Sequence, residues 1–413
     1  MRLIDATTLE LRLFMDESLV PPYAILSHRW GEDEVTLQQF TDQSLRNDAT
    51  LKSSRGYWKI LKTCQQALSN GLSLVWVDTC CIDKTSSAEL SEAINSMFRW
   101  YQQAAGCYAY LEDISVDSET WADGFMSDEG KHQLAMSRWF TRGWTLQELL
   151  APKDVWFYGK EWRYIGMKSS LCVELERITG IDVNVLLGKS DMRDESVAQR
   201  MSWMAGRTTT RIEDMAYSLM GIFDVHMPLL YGEGAKAFVR LQENIMKFSA
   251  DQSLFAWKEQ SQLTYLQGGP SSVFASHPRQ FAASIKIVSR RFDDQFRLEE
   301  DYLCTNRGVK IKLRIRRLTG SWSGGERGGE LFMAILECTY DRLDLEGCWP
   351  AIYIRRLKGS KTQYTRVEGP YLFPVVFGEV SDAQKQMGVI SVGDIDDGEW
   401  VYLRAKVPGW AAV

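Results

Sequence analysis

The stretch Tyr23-Ala24-Ile25-Leu26-Ser27-His28-Arg29-Trp30-Gly31 decides how this chain reads. An apolar run of strand length stops at a polar tip, the pattern of a strand buried on both faces. Outward from it the pattern recurs. Tyr57, Ile60, Leu61, Cys64, Ala67 and Leu68 have helical spacing, and Asn70-Gly71 is a stop signal. Leu72 to Val77 is a second apolar strand, leading into Asp78-Thr79-Cys80-Cys81. Ser86 or Ser87 can cap the next helix with Glu89 just beyond, and Leu90, Ala93, Ile94, Met97, Tyr101 and Ala104 form its stripe. Cys107 to Leu111 is a third strand, followed by a polar, acidic loop from Glu112 to about Gly130. Trp139 to Leu150 reads as a short helix ended by Ala151-Pro152, and Val155 to Tyr158 as a fourth strand. Buried strands alternating with helices predict an α/β domain over residues 1–160, a parallel sheet flanked by helices.

Residues 161–255 read as a helical extension, with packing stripes such as Ile212-Met215-Ala216-Leu219. From 256 to 413 the period changes to two. Val309, Ile311, Leu313 and Ile315 alternate with Lys310, Lys312 and Arg314. Leu331 to Leu336, Ile352 to Leu357, Phe373 to Phe377 and Val401 to Ala405 are further strand candidates, with a glycine-rich connection from Gly320 to Gly329. A β-rich C-terminal domain, sandwich or barrel, is expected.

Composition bounds the function. Of 413 residues 45% are hydrophobic and 25% charged, which excludes a disordered or collagen-like chain. Lys and Arg number 48 against 54 Asp and Glu, so the net charge is −6, without the footprint of a general nucleic-acid binder. The eight cysteines form no C-x-x-C, and with four histidines no zinc spacing can be built, so no metal is expected. No stretch approaches the roughly 20 apolar residues of a membrane span. The expectation is a reduced, cytoplasmic protein with mostly buried free thiols.

Parallel α/β sheets bind ligands outside the carboxyl ends of their strands. That rim would gather Ser27, His28, Arg29 and Trp30, then Asp78 and Thr79, then Glu112 and Asp113. The segment Ser137-Arg138-Trp139-Phe140-Thr141-Arg142-Gly143-Trp144-Thr145-Leu146-Gln147-Glu148 would come over the same rim. Trp144 and Glu148, four apart, share one helical face. An indole beside a carboxylate suits a flat heteroaromatic ring attached to a sugar, and Arg29, Arg138 or Arg142 can hold phosphates. Other readings stay open: Trp144 as core, Glu148 as an exposed helix residue, Asp78 as a turn residue, His28 as a hydrogen-bonded structural group, Cys80-Cys81 as buried thiols. Arg207 and Arg211 flank three threonines and either bind an anion or start a helix. Gly188-Lys189-Ser190 lacks the glycine that a phosphate loop requires, and Gly232-Glu233-Gly234 before a helix is a weak phosphate signal.

Four ordered motifs closely resemble the fungal heterokaryon-incompatibility (HET) domain family. They are Tyr23 to Gly31, Trp76-Val77-Asp78-Thr79-Cys80-Cys81-Ile82-Asp83-Lys84, Ser91 to Phe98, and Arg138 to Leu149; Arg211 to Gly234 is a further familiar block. The resemblance implies fungal non-self recognition ending in regulated cell death, with an upstream sensor and self-assembly into a homo-oligomer on activation. HET domains are in turn similar, more distantly, to TIR domains. Leu26-Ser27-His28-Arg29-Trp30-Gly31-Glu32-Asp33 resembles the first-strand signature of that family, with Trp30 inserted and His28 for its aromatic residue. Trp144-Thr145-Leu146-Gln147-Glu148-Leu149 resembles its catalytic helix, with Thr145 for the usual Cys. The likeness implies a TIR-like sheet, NAD⁺ or a related nucleotide as substrate rather than cofactor, and Glu148 as the catalytic residue of NAD⁺ hydrolysis. Ser27, His28, Arg29, Trp30, Asp78, Arg142 and Trp144 are then the expected substrate-binding residues. A non-enzymatic interaction module and a nucleotide sensor remain the alternatives.

Overall fold

The computed structural model describes residues 1–42, 48–116, 121–122, 125–258, 270–290, 303–306, 308–318, 330–367, 372–377, 380–381, 384–385, 387, 389–392 and 399–403. They form two compact units, Met1–Met192 with Arg207–Leu230, and Arg193–Gly206 with Tyr231–Val413. The segment expected as one helical extension therefore contributes to both. Thr208 pairs with Arg142 in the first unit. In the second, Asp251 and Ser253 accept hydrogen bonds from the backbone of Val197 and Ala198 at the start of the helix Val197–Ser202.

The first unit is built on a seven-stranded sheet. Its strands are β1 (Arg2–Asp5), β2 (Leu11–Leu13), β3 (Ala24–His28), β4 (Leu74–Trp76), β5 (Gly106–Tyr110), β6 (Val155–Tyr158) and β7 (Tyr164–Met167), in the order β2-β1-β4-β3-β5-β6-β7. The four strands expected from the sequence, β3 to β6, are mutually parallel. The edges are antiparallel: β1 and β2 on one side, which no periodicity announced, and β7 on the other. The sheet is thus mixed rather than purely parallel.

Local chemistry explains the pieces. Every residue of β3 is buried because it runs between two neighbours with helices packed against the sheet. Helix α1 (Arg55–Ser69) starts where the Ser54 hydroxyl accepts the Tyr57 N–H. It ends at Asn70, and Gly71 takes φ +77°, a left-handed value natural to glycine. Asp78–Cys81 forms a single turn, α2. Ser86 caps α3 (Ser87–Gln103), but the Glu89 side chain turns to the Asp83 N–H, so no reciprocal capping box forms. The hydroxyls of Tyr23 and Tyr101 tie α3 and β3 together through the Trp100 and Leu26 carbonyls, at 2.6 and 2.9 Å. Gly106 cannot be another residue cheaply, since a Cβ there would lie 2.7 Å from the Trp156 ring. The acidic loop after β5 holds an unforeseen helix, α4 (Asp128–Met136). The expected helix Trp139–Leu150 is broken into a 3₁₀ turn, Arg138–Thr141, and α5, Thr145–Leu150.

Counting the parallel strands by appearance, their order is 2-1-3-4, a doubly wound arrangement whose switch point lies between β3 and β5.

The second unit carries a ring of five strands: β8 (Gly308–Arg317), β9 (Leu331–Ile335), β10 (Trp349–Arg356), β11 (Gln363–Val367) and β12 (Glu399–Leu403). Each pairs with the next, and β12 returns to β8, closing a barrel. Val309, Ile311 and Leu313 are buried as the alternation predicts, but Arg314 is buried too, its guanidinium 5.7 Å from the Phe377 ring. Met333 and Ile335 on β9 join Ala351, Val375 and Val392 in one apolar cluster. The expected Gly320–Gly329 connection and the end of the last strand, 404–405, lie outside the described residues.

Candidate active site

The carboxyl end of β3 meets α5. Ser27 is completely buried, and its hydroxyl donates to Glu148 Oε2 at 2.5 Å while accepting the Trp139 indole N–H at 3.0 Å. Glu148 is only 7% exposed. Burial pushes its carboxyl up to about 8, and Asp78 adds to the rise; the Ser27 hydroxyl, Arg142 and Arg207 pull the other way. At neutral pH the carboxyl is therefore mostly protonated. Two buried cations support the helix that carries it. Lys168 Nζ donates to the Leu149 and Pro152 carbonyls at the end of α5, at 3.3 and 2.5 Å, and burial brings it down to about 8. Arg207 donates to the Arg142 carbonyl and the Thr145 hydroxyl, both at 2.9 Å. Burial lowers it to about 9 while Glu148 holds it up. The Thr145 hydroxyl lies 2.6 Å from the Trp139 carbonyl, so Arg207, Thr145, Trp139, Ser27 and Glu148 form one connected chain.

His28 faces the other way. Its Nδ1 lies 2.9 Å from the ammonium of buried Lys59 and its Nε2 lies 2.9 Å from Asp78 Oδ1. An ammonium has only protons to give, so Nδ1 accepts and the ring proton sits on Nε2, donated to Asp78. Lys59 also bonds Glu34. Asp78 Oδ2 accepts the Trp30 indole N–H at 2.8 Å, and Lys84 Nζ stands 3.6 Å from the Trp30 ring. Burial opposes the Asp78 charge, but Lys84, His28 and Trp30 outweigh it and hold the carboxyl well below its ordinary range. With both ring nitrogens engaged, His28 has no lone pair left to act as a base. Arg29 reaches out to the rim and donates to Glu112 at 3.3 Å.

The structure thus sorts the expected residues into two groups. Ser27 and Glu148 touch; His28, Trp30 and Asp78 form a separate ion and hydrogen-bond chain beside them. The Arg142 side chain turns to the Thr210 hydroxyl at 3.0 Å. Trp144 begins α5, half-buried, and the indole at the Ser27–Glu148 pair is Trp139 instead. Periodicity could not choose between these two tryptophans, and nothing local pointed to Lys59 or Lys168; Arg207, singled out beside the threonines as an anion binder or a helix start, turns its guanidinium to the Arg142 carbonyl and the Thr145 hydroxyl. Cys80 is buried and its thiol is pushed well up by that burial, which makes it no nucleophile. The Glu233 carboxylate is taken by Arg240, and Gly188 ends a helix with φ +65°. Among the described residues no group of three potential metal ligands occurs, and no helix is long and apolar enough to cross a membrane.

With that geometry in view, comparison with known proteins defines the class. Residues 23–129 match the heterokaryon incompatibility protein (HET) family, and the chain carries a HET domain. Residues 236–346 match a second family, described as a domain of unknown function, DUF8212. Among individual proteins, the chain is similar to vegetative incompatibility protein HET-E-1 of Podospora anserina, 53% identical over 229 residues. That alignment covers 55% of this chain and 16% of the relative, so the chain spans only a small part of that protein's length. No solved structure matches. Ser27, Arg29 and Asp78 fall inside the HET match, whereas Glu148 lies beyond its end at 129.

Proposed function

We propose that this chain is an incompatibility effector whose HET domain hydrolyses NAD⁺ at the nicotinamide–ribose bond, activated by self-assembly and coupled to regulated cell death. The observation that carries the reading is the buried hydrogen bond between Ser27 and Glu148 at the carboxyl end of the switch-point strand. There a dinucleotide's sugar would meet a carboxyl group screened from bulk water. Bond breaking develops positive charge on the ribose, as in glycoside hydrolysis, and nicotinamide leaves as a neutral base, so no strong acid is needed. Water adds to the ribose, giving ADP-ribose, nicotinamide and a proton. Glu148 has to be ionised to stabilise that charge. The cationic nicotinamide ring of bound NAD⁺ favours the ionised form, so binding itself would arm the group that burial keeps neutral. Ser27 orients the carboxyl, Trp139 holds Ser27, and Arg29 lines the phosphate path.

The same burial favours a second reading, an interaction module that triggers death through partners, because the carboxyl is nearly sealed in the isolated chain. Nicotinamide release by purified protein, dilute and concentrated, with Glu148→Gln beside wild type, separates the two. The enzymatic reading expects turnover that rises with concentration and is lost in Glu148→Gln. Equal turnover removes Glu148 from the role. Toxicity that persists in Glu148→Gln favours the interaction module.

A further inference from the structure

Two guanidinium groups converge at the rim above the Ser27–Glu148 pair. Arg29 follows the first parallel strand, and Arg138 opens the 3₁₀ turn before α5. Both donate to the same atom, Glu112 Oε1, each at 3.3 Å. Their nitrogens therefore lie no further apart than twice that distance, a spacing that adjacent phosphates can bridge. Glu112 itself stands two residues past the end of β5, so this cluster straddles the ends of the first and third parallel strands, where doubly wound sheets hold their ligands. Arg138 is aimed from below. Its backbone N–H and Nε both donate to Asp113 Oδ2, at 2.8 and 3.3 Å, and the Ser137 hydroxyl holds Asp113 Oδ1 at 2.8 Å. The contacts to Glu112 are long and fall on a single oxygen, unlike the bidentate fork that arginine makes with a well-matched carboxylate. The side chains of Arg29, Arg138 and Glu112 are 33%, 56% and 25% exposed, so a ligand can reach them and Glu112 can leave.

We propose that Arg29 and Arg138 form a seat for a diphosphate, and that Glu112 fills it as an internal anion until a dinucleotide displaces it. The identity of the ligand rests on the nucleotide reading of the same rim; the seat itself does not require hydrolysis. Glu112 then acts as an intramolecular competitor that sets the affinity for anionic ligands.

The test is calorimetric titration of the whole chain with inorganic pyrophosphate, ADP-ribose and orthophosphate, none of which has a nicotinamide bond to cleave. Glu112→Gln should tighten pyrophosphate and ADP-ribose about 3- to 10-fold, the worth of two exposed ion pairs. Arg29→Gln and Arg138→Gln should each weaken them at least about tenfold, the cost of a charge-assisted hydrogen bond. Thermal melts that match wild type show that each variant is folded. Pyrophosphate binding that is unchanged or weaker in folded Glu112→Gln overturns the proposal, as does orthophosphate binding as tightly as pyrophosphate. Tightening in Glu112→Gln without NAD⁺ turnover in wild type would keep the seat and discard the hydrolase.

Discussion

A buried carboxyl that holds its proton to about pH 8 should write itself into the stability of the protein. Glu148 rises from an ordinary 4.5 to about 8, chiefly through burial. Below pH 4.5 the group is protonated whether the chain is folded or not. Between 4.5 and 8 the unfolded chain has released the proton while the fold retains it, so each increment of pH favours unfolding. The contribution is complete at the acid end and gone once pH passes about 8. At about 1.36 kcal/mol per pH unit, the swing has a ceiling on the order of 5 kcal/mol. For a unit of this size that is on the order of 10 °C in melting temperature. Glu148→Gln keeps the shape and cannot titrate. Melting temperatures of wild type and Glu148→Gln, taken from pH 5 to 8, should therefore diverge steadily, with wild type losing ground as pH rises. Other titrating groups are common to both proteins and cancel in the difference. Lys168, lowered to about 8, adds stability with rising pH only above this window. Two parallel curves would refute the reasoning, because they would mean that Glu148 ionises as freely in the fold as in the unfolded chain.

Three further outcomes follow from the same contacts. Arg207→Met removes a buried cation and the donor to Arg142 and Thr145; it should cost about 2–3 kcal/mol and, by withdrawing positive charge, move the Glu148 transition in the melting curves to higher pH. Lys59→Met strands His28 Nδ1 and leaves the Glu34 carboxylate with the Gly31 N–H but without its cation, and urea denaturation should register a loss of about 3 kcal/mol. Gly221→Ala would place a Cβ 2.2 Å from the Phe98 Cβ, an atom fixed to the α3 backbone. A loss of about 2–3 kcal/mol in the melting of the first unit is expected, and a neutral substitution would disprove the packing of residues 207–230 onto α3.

The sequence by itself determined the pieces that local physics controls. Strand β6 falls on Val155–Tyr158 as its apolar run predicts, α1 stops at Asn70-Gly71, and Ser86 caps α3, because periodicity and capping act over a few residues. The motifs around Tyr23 and Asp78 were enough to identify the HET domain. Only the tertiary structure decided the strand order, the antiparallel edge β1–β2, and the closing of the second unit's strands into a barrel. It also decided that Trp139 rather than Trp144 reaches Ser27, that His28 turns inward to Lys59 and Asp78, and that Arg207 comes in beside Thr145. Ser27 and Glu148 are 121 residues apart, and no short-range pattern encodes a contact of that span. Its cause is the stacking of whole elements, in which a side chain's partner and its proton affinity depend on what else the fold brings close and how much water it removes.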